Sequence, residues 1–195
     1  MKRSYKLKNR AAGQDQTRKM IVEATIELHQ AKGIAATSVN DIAERAQVAK
    51  VTVYRHFPDQ ETLAQACSGL YFQRHPFPDP ESWRHIEDPA DRFRQGLRET
   101  YAYHRSTEPM TARIIGEARD LPVMAPYHEQ LRKAADVIAA AWPRTAREKA
   151  ALKAALALAL SFDTWRQLTR IGQLSDGEAI DLMMRLVCDG RANPG

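Results

Sequence analysis

Apolar residues recur at intervals of three and four along most of the chain, and no stretch alternates apolar with polar as a half-buried strand does. The pattern predicts an all-α protein of about nine helices. Ile21, Ala24, Leu28 and Ala31 mark a first helix over residues 17–32, which Gly33 ends. Val39, Ile42, Ala43 and Ala46 fall on one side of a short second helix; Thr37 or Ser38 can cap it, and Asp41 stands at the capping-box distance from Ser38. The phase breaks after Ala46. A third short helix then runs from Ala49 or Lys50 to His56, Pro58 stops it, and Asp59 can cap a fourth that reaches Tyr71 or Phe72.

Pro76, Pro78, Pro80 and Pro89 exclude one continuous helix, so a loop with a single turn around Trp83 is expected. Beyond it, helical spacing predicts residues 90–105, a shorter helix 109–118 opened by Pro109, and residues 123–141 closed by Trp142 and Pro143. Thr145 and Glu148 form a second capping-box pair at the head of what reads as the longest helix, residues 146–171, which Gly172 ends. Ser175 or Asp176 starts the last helix, and Asp189 with Gly190 ends it.

Two short helices joined by a tight turn form a helix-turn-helix, whose second helix can enter a major groove about 12 Å wide while the first crosses the backbone. Val48, Val53 and Phe57 would face the core, leaving Lys50, Thr52, Tyr54, Arg55 and His56 to solvent or DNA, with Val51 able to meet a thymine methyl. Spacing alone fits a plain helical hairpin equally well.

Composition sharpens this. The 195 residues carry a formal charge of +5 and a pI near 9.3, and residues 1–60 hold 11 Lys plus Arg against 6 Asp plus Glu. The whole excess therefore lies with the helix-turn-helix, and the remainder is formally neutral. Cys67 and Cys188 are too few and too far apart for a disulfide framework, and no run reaches transmembrane length or follows a signal pattern, so a cytoplasmic protein in a reducing compartment is expected. Five basic residues precede the first acidic one, Asp15, and residues 1–16 read as a mobile basic arm.

From residue 17 to about residue 63 the chain resembles the DNA-binding domain of the tetracycline-repressor-like (TetR/AcrR) family of bacterial transcription regulators. The resemblance rests on Arg18, Ile21, Ala24, Leu28, Gly33, Thr37, Ser38, Val39, Ile42, Ala43, Ala46, Val48, Thr52, Tyr54, His56, Phe57 and Leu63. Five positions depart from the family pattern: Gln47 where Gly is common, Ala49 in place of a capping Ser, Val51 for Gly, Gln60 for a frequent phosphate-contacting Lys, and His29 for a core residue. At Gln47 the turn either avoids a left-handed backbone or carries modest strain. The resemblance implies operator DNA as partner, with Thr37, Ser38, Lys50, Val51, Thr52, Tyr54, Arg55, His56 and Gln60 as contacts. It also implies a division into an arm (1–16), a DNA-binding domain (17–58), a connecting helix (59–73), a ligand-binding and dimerisation bundle (74–190) and a tail (191–195).

Phe93, Tyr101, His104, Met110, Ile114, Met124, Tyr127, Phe162 and Trp165 supply aromatic and thioether surface suited to an apolar effector. The family dimerises through its last two helices. Here Leu152, Ala155, Leu156, Ala159 and Phe162, with Ile180, Met183, Met184 and Val187, make two apolar stripes that could form a symmetric homodimer. No zinc motif, phosphate-binding loop or paired-carboxylate pattern points to an enzyme, and no metal or cofactor is expected. A ligand-responsive regulator, most simply a repressor released by its effector, is the expectation. A DNA-binding scaffold whose bundle recruits a protein is the alternative.

Overall fold

The computed structural model describes residues 2–143 and 145–188, with backbone alone for residues 2–11 and Ala146. Among these residues there are nine α-helices and no strand, and no helix is long and apolar enough to cross a membrane. The helices are α1 (Lys2–Lys32), α2 (Val39–Arg45), α3 (Lys50–His56), α4 (Gln60–Arg74), α5 (Pro89–Ala118), α6 (Ala125–Ala139), α7 (Ala146–Ala159), α8 (Phe162–Arg166) and α9 (Asp176–Cys188). A 3₁₀ helix, Pro80–His85, supplies the turn expected around Trp83. The expected tail lies outside the described residues.

Three expectations change. Residues 2–16 are not an arm: their backbone continues α1. Pro109 does not begin a new helix but lies inside α5, because Thr107, Met110, Thr111 and Ala118 keep a buried helical phase across it and one missing amide does not break thirty residues. The helix expected over residues 146–171 is broken at Ser161, whose backbone turns extended (φ −71°, ψ 147°) and whose Oγ accepts the Thr164 amide at 3.1 Å. A new cap therefore starts α8, and Gln167–Ile171 widens into a π turn before Gly172.

Local capping explains most of the other boundaries. Ser38 with Asp41 and Thr145 with Glu148 both form reciprocal capping boxes, Asp59 accepts the Thr62 amide at 2.7 Å, and Ser175 pairs with Glu178 ahead of α9.

The chain divides into two compact units. One comprises Met1–Pro76 with Glu108–Met124, and the other Phe77–Thr107 with Ala125–Gly195, so α5 contributes to both. The first unit is built on Ile21, Val22, Ile42, Val53, Phe57, Leu63 and Cys67, and Met110 joins that core. Burial pushes the Cys67 thiol up to about 12, which leaves it a packing residue rather than a nucleophile. In the second unit Trp83, Phe93, Leu97, Ile138 and Leu156 are buried. A Cβ on Gly96 would lie 2.7 Å from Ile138 Cδ1 and 3.2 Å from Trp83, so the glycine lets α5 approach these neighbours closely.

Candidate nucleic-acid interface

Helix α3 is short, and its tertiary anchors define which face is left free. Val53 and Phe57 are buried. Arg18 of α1 lies 4.3 Å above the Phe57 ring and donates from Nη1 to the His56 carbonyl at 3.5 Å, fixing the C-terminal end of α3. Lys50, Val51, Tyr54 and Arg55 then form a single exposed face, with Thr52 and His56 half-buried at its edges. Val51 is 70% exposed. An apolar side chain so placed has no core to fill and is available to a base methyl, while its neighbours bring one phenol and two cations suited to phosphates and base edges.

The turn before α3 answers the question raised by Gln47. Its φ is +55°. The Gln47 amide donates to Glu44 O at 3.1 Å and the Val48 amide to Ala43 O at 2.9 Å, which is the Schellman closure of a helix with its left-handed position filled by glutamine. The strain is therefore real, of order 1 kcal/mol. Ala49 caps α3 without any side-chain hydrogen bond, so the first amides of the reading helix lack the partner a serine would give.

The two residues ahead of α2 play different parts. Thr37 turns inward, its hydroxyl donating to Gly33 O at 2.7 Å. Ser38 is exposed, but its amide and hydroxyl both donate to Asp41 Oδ2 at 2.7 Å. Lys32 lies 2.9 Å from the same carboxylate, and its hydrogen bond, with those of Ser38, holds Asp41 well below the usual carboxylate range. A phosphate near Ser38 would meet this charge, whereas the exposed Lys50 and Arg55 present theirs without a carboxylate so close. Gln60 is exposed in the first turn of α4.

The nine residues expected to line an effector pocket are split. Met110, Ile114 and Met124 belong to the first unit, where Met110 and Ile114 pack on the α1–α4 core. The unbroken course of α5 through Pro109 carries Met110 and Ile114 into that unit, and Met124 follows in the short 3₁₀ turn Pro122–Met124. Phe93, Tyr101, His104, Tyr127, Phe162 and Trp165 are all buried in the second unit. His104 lies at the centre of a ring cluster, 5.5 Å from Phe162, 5.9 Å from Trp165, 6.1 Å from Tyr103 and 6.4 Å from Tyr101 between centroids. A separate open groove of about 460 Å³, lined by His128, Leu131, Ala135, Lys153, Ala154 and Ala157 among others, contains none of the nine.

The expected dimer stripes are also corrected. Leu152, Leu156, Ala159, Phe162, Ile180, Met183 and Met184 are buried within the protomer, while Ala155 and Val187 are half-buried. Helix α7 is apolar on more than one side, and the core has taken the stripe expected at the interface. Leu158 and Leu186 are the large apolar side chains of α7 and α9 that stay outside, 65% and 62% exposed.

Glu117 was missed by sequence reasoning. Its carboxylate accepts the Ala35 amide at 2.7 Å, across 82 positions of sequence, and no local signal announces such a pair.

Residues 21–67 match the family described as bacterial regulatory proteins, tetR family. Over 61 residues the chain is 38% identical to the HTH-type transcriptional repressor KstR of Mycolicibacterium smegmatis, a match covering 31% of this chain and 30% of that protein's length. A TetR-like transcriptional regulator from Rhodococcus sp. RHA1 shares the fold over 91% of this chain and 96% of its own, with a TM-score of 0.62 at 17% identity. A second TetR regulator from the same organism aligns over 93% and 99% with a TM-score of 0.50 at 22% identity.

Proposed function

From the premise that this chain is a regulatory protein of the TetR family, we propose that it binds operator DNA as a homodimer and is released by a small, largely apolar effector held in the second unit. The observation that carries the DNA-binding part is the face formed by Lys50, Val51, Tyr54 and Arg55, exposed on a helix whose opposite side is locked by Val53 and Phe57. Two such helices on a symmetric dimer would meet successive major grooves and read an inverted repeat. One short helix alone gives too few contacts for the specificity a regulator needs.

Repression fits this geometry because a dimer seated on two half-sites occludes the duplex. An effector that prefers a different arrangement of the protomers shifts the population away from DNA by its differential affinity for the two states. The effector part rests on the buried ring cluster of the second unit.

Selection of bound duplexes from a random library tests the reading. An enriched inverted repeat, protected on both half-sites, is the expected result. Retention of all sequences alike at moderate salt would reduce the protein to a non-specific binder and overturn it.

A further inference from the structure

The π turn, the helix break and one buried nitrogen converge on the same place in the second unit. The break at Ser161 leaves two carbonyls at the end of α7, and both are taken from α5: the Tyr101 hydroxyl donates to Ala159 O at 3.0 Å, and His104 Nε2 lies 2.9 Å from Leu160 O. A carbonyl can only accept, so Nε2 carries the proton and Nδ1 is left as a bare acceptor. His104 is fully buried, and Nδ1 meets no hydrogen-bond partner among the described residues. Such an orphan is costly, and in a folded protein it marks a place where a donor belongs. Around it stand the rings of Tyr101, Tyr103, Phe162 and Trp165, and the half-buried Phe77 stacks on Tyr103 with centroids 4.9 Å apart, extending the cluster toward solvent. Trp165 sits between the break and the π turn Gln167–Ile171, so the chain on its side of the cluster is irregular at both ends. A π turn of this kind recurs at functional sites.

We propose that the ring cluster around His104 is the effector site and that its ligand is a compact neutral aromatic carrying a hydroxyl, which donates to Nδ1 while its ring replaces contacts among the surrounding side chains. This rests on the ligand-responsive reading and names the class of ligand. The charged side chains that reach the cluster are engaged at Trp165, where Asp176 accepts the indole N–H and pairs with Arg105, and Arg105 and Arg170 lie over the ring. What His104 itself offers is one free acceptor amid apolar surface, which favours a neutral donor over an ether of the same shape. A hydrogen bond of this kind discriminates about tenfold.

The test uses the full chain with phenol and anisole as probes, followed by calorimetry and by the imidazole nitrogen signals of His104. The expected result is phenol binding about tenfold tighter than anisole, with a shift of the Nδ1 resonance on adding phenol alone. In His104→Leu no acceptor remains, so the preference for phenol should vanish while circular dichroism matches the parent. In His104→Gln the amide nitrogen can donate to Leu160 O and its oxygen can accept from phenol, so the preference should survive. Equal binding of the two probes, a preference that persists in His104→Leu, or no binding of either would overturn the assignment. Operator release is measured separately in the same samples. Phenol bound at His104 with no change in operator affinity keeps the site and removes its regulatory role; release by an effector that ignores His104→Leu keeps the regulatory reading and removes the site.

Discussion

The Glu117 carboxylate near the end of α5 accepts the Ala35 amide at 2.7 Å and covers the turn between α1 and α2, where Gly33 has φ +87°. A Cβ at Gly33 would lie 2.7 Å from Glu117 Oε1, so one turn imposes both a left-handed backbone and a carboxylate lid. Gly33→Ala should therefore cost about 1–2 kcal/mol in denaturant unfolding. Gly13→Ala, whose added methyl meets nothing within 4 Å in the middle of α1, should not destabilise. Glu117→Gln should speed amide exchange at Ala35. It should also lower the His29 pKa further, because burial already depresses that imidazole and only the Glu117 charge opposes it. An NMR titration of His29 in the two proteins reads the sign directly.

Gln47 and Ala49 each break a local rule in the reading head. Gln47→Gly should relieve a left-handed backbone and stabilise by roughly 0.5–1 kcal/mol. Ala49→Ser should add the missing cap of α3, worth about 0.5–2 kcal/mol. The measurement is the unfolding midpoint at constant slope. Because the two positions are near neighbours, the double variant is expected to depart from the sum.

Lys50 is exposed at the first position of α3 and makes no ion pair among the described residues, whereas Lys32 and Arg45 are engaged by Asp41 and Glu27. Lys50→Ala should weaken operator binding and lower the slope of log affinity against log salt by about one. Tyr54→Ala should instead erode discrimination between operator and scrambled duplex, since a phenol carries no counterion. An unchanged salt slope for the lysine variant would remove it from the phosphate contacts.

What was legible in the sequence was short-range. Ser38 with Asp41, Asp59 with Thr62, and Thr145 with Glu148 are all fixed by neighbours within one helical turn, and each stands at an observed helix start, Ser38 rather than Thr37 being the cap of α2. The turn at Gln47 was located, although only the backbone could show that it pays the left-handed strain. The misreadings share a different cause. Ser161 looks like one more residue in an Ala- and Leu-rich run, and Pro109 looks like a start, because what overrides each is burial decided by distant chain. On α7 the apolar residues outnumber those a single face requires, so periodicity could not say that Leu156 goes inward and Leu158 outward. Glu117 lies beyond the reach of any periodic pattern.

His104 gives the second unit a pH dependence of known sign. Burial lowers its pKa to about 4, outweighing the Leu160 carbonyl and the charges of Asp163 and Asp176, which raise it. An unfolded histidine titrates near 6.5. The unfolded chain therefore takes up a proton that the folded one refuses, and the stability is fully present above about pH 6.5 and lost as pH falls toward 4. The loss attributable to this residue is of order 3 kcal/mol. Unfolding free energies at a series of pH values should show one fewer proton linked to unfolding in His104→Gln, and parallel curves for the two proteins would remove His104 as the cause.

The proposed dimer is to be sought among the apolar side chains that the fold leaves outside. Leu158 and Leu186, on the packed helices α7 and α9, remain 65% and 62% exposed, whereas Ala159 and Met184 are 1% and 7% exposed. Two large apolar residues on one helix pair are costly in water and would be covered by the same pair on a second copy, in the self-complementary manner of a two-fold interface. Leu158→Glu with Leu186→Glu should then give folded monomers, with helical circular dichroism retained, half the mass in sedimentation, and tight operator binding lost while Lys50 and Tyr54 stay in place. Ala159→Glu with Met184→Glu should behave differently, because each glutamate would be forced into a packed interior without a partner and the second unit should unfold. The contrast between the two pairs is the test: a dimer mass unchanged in the first pair would move the interface elsewhere, and a folded monomer from the second would show that the buried stripe, not the exposed one, holds the protomers together.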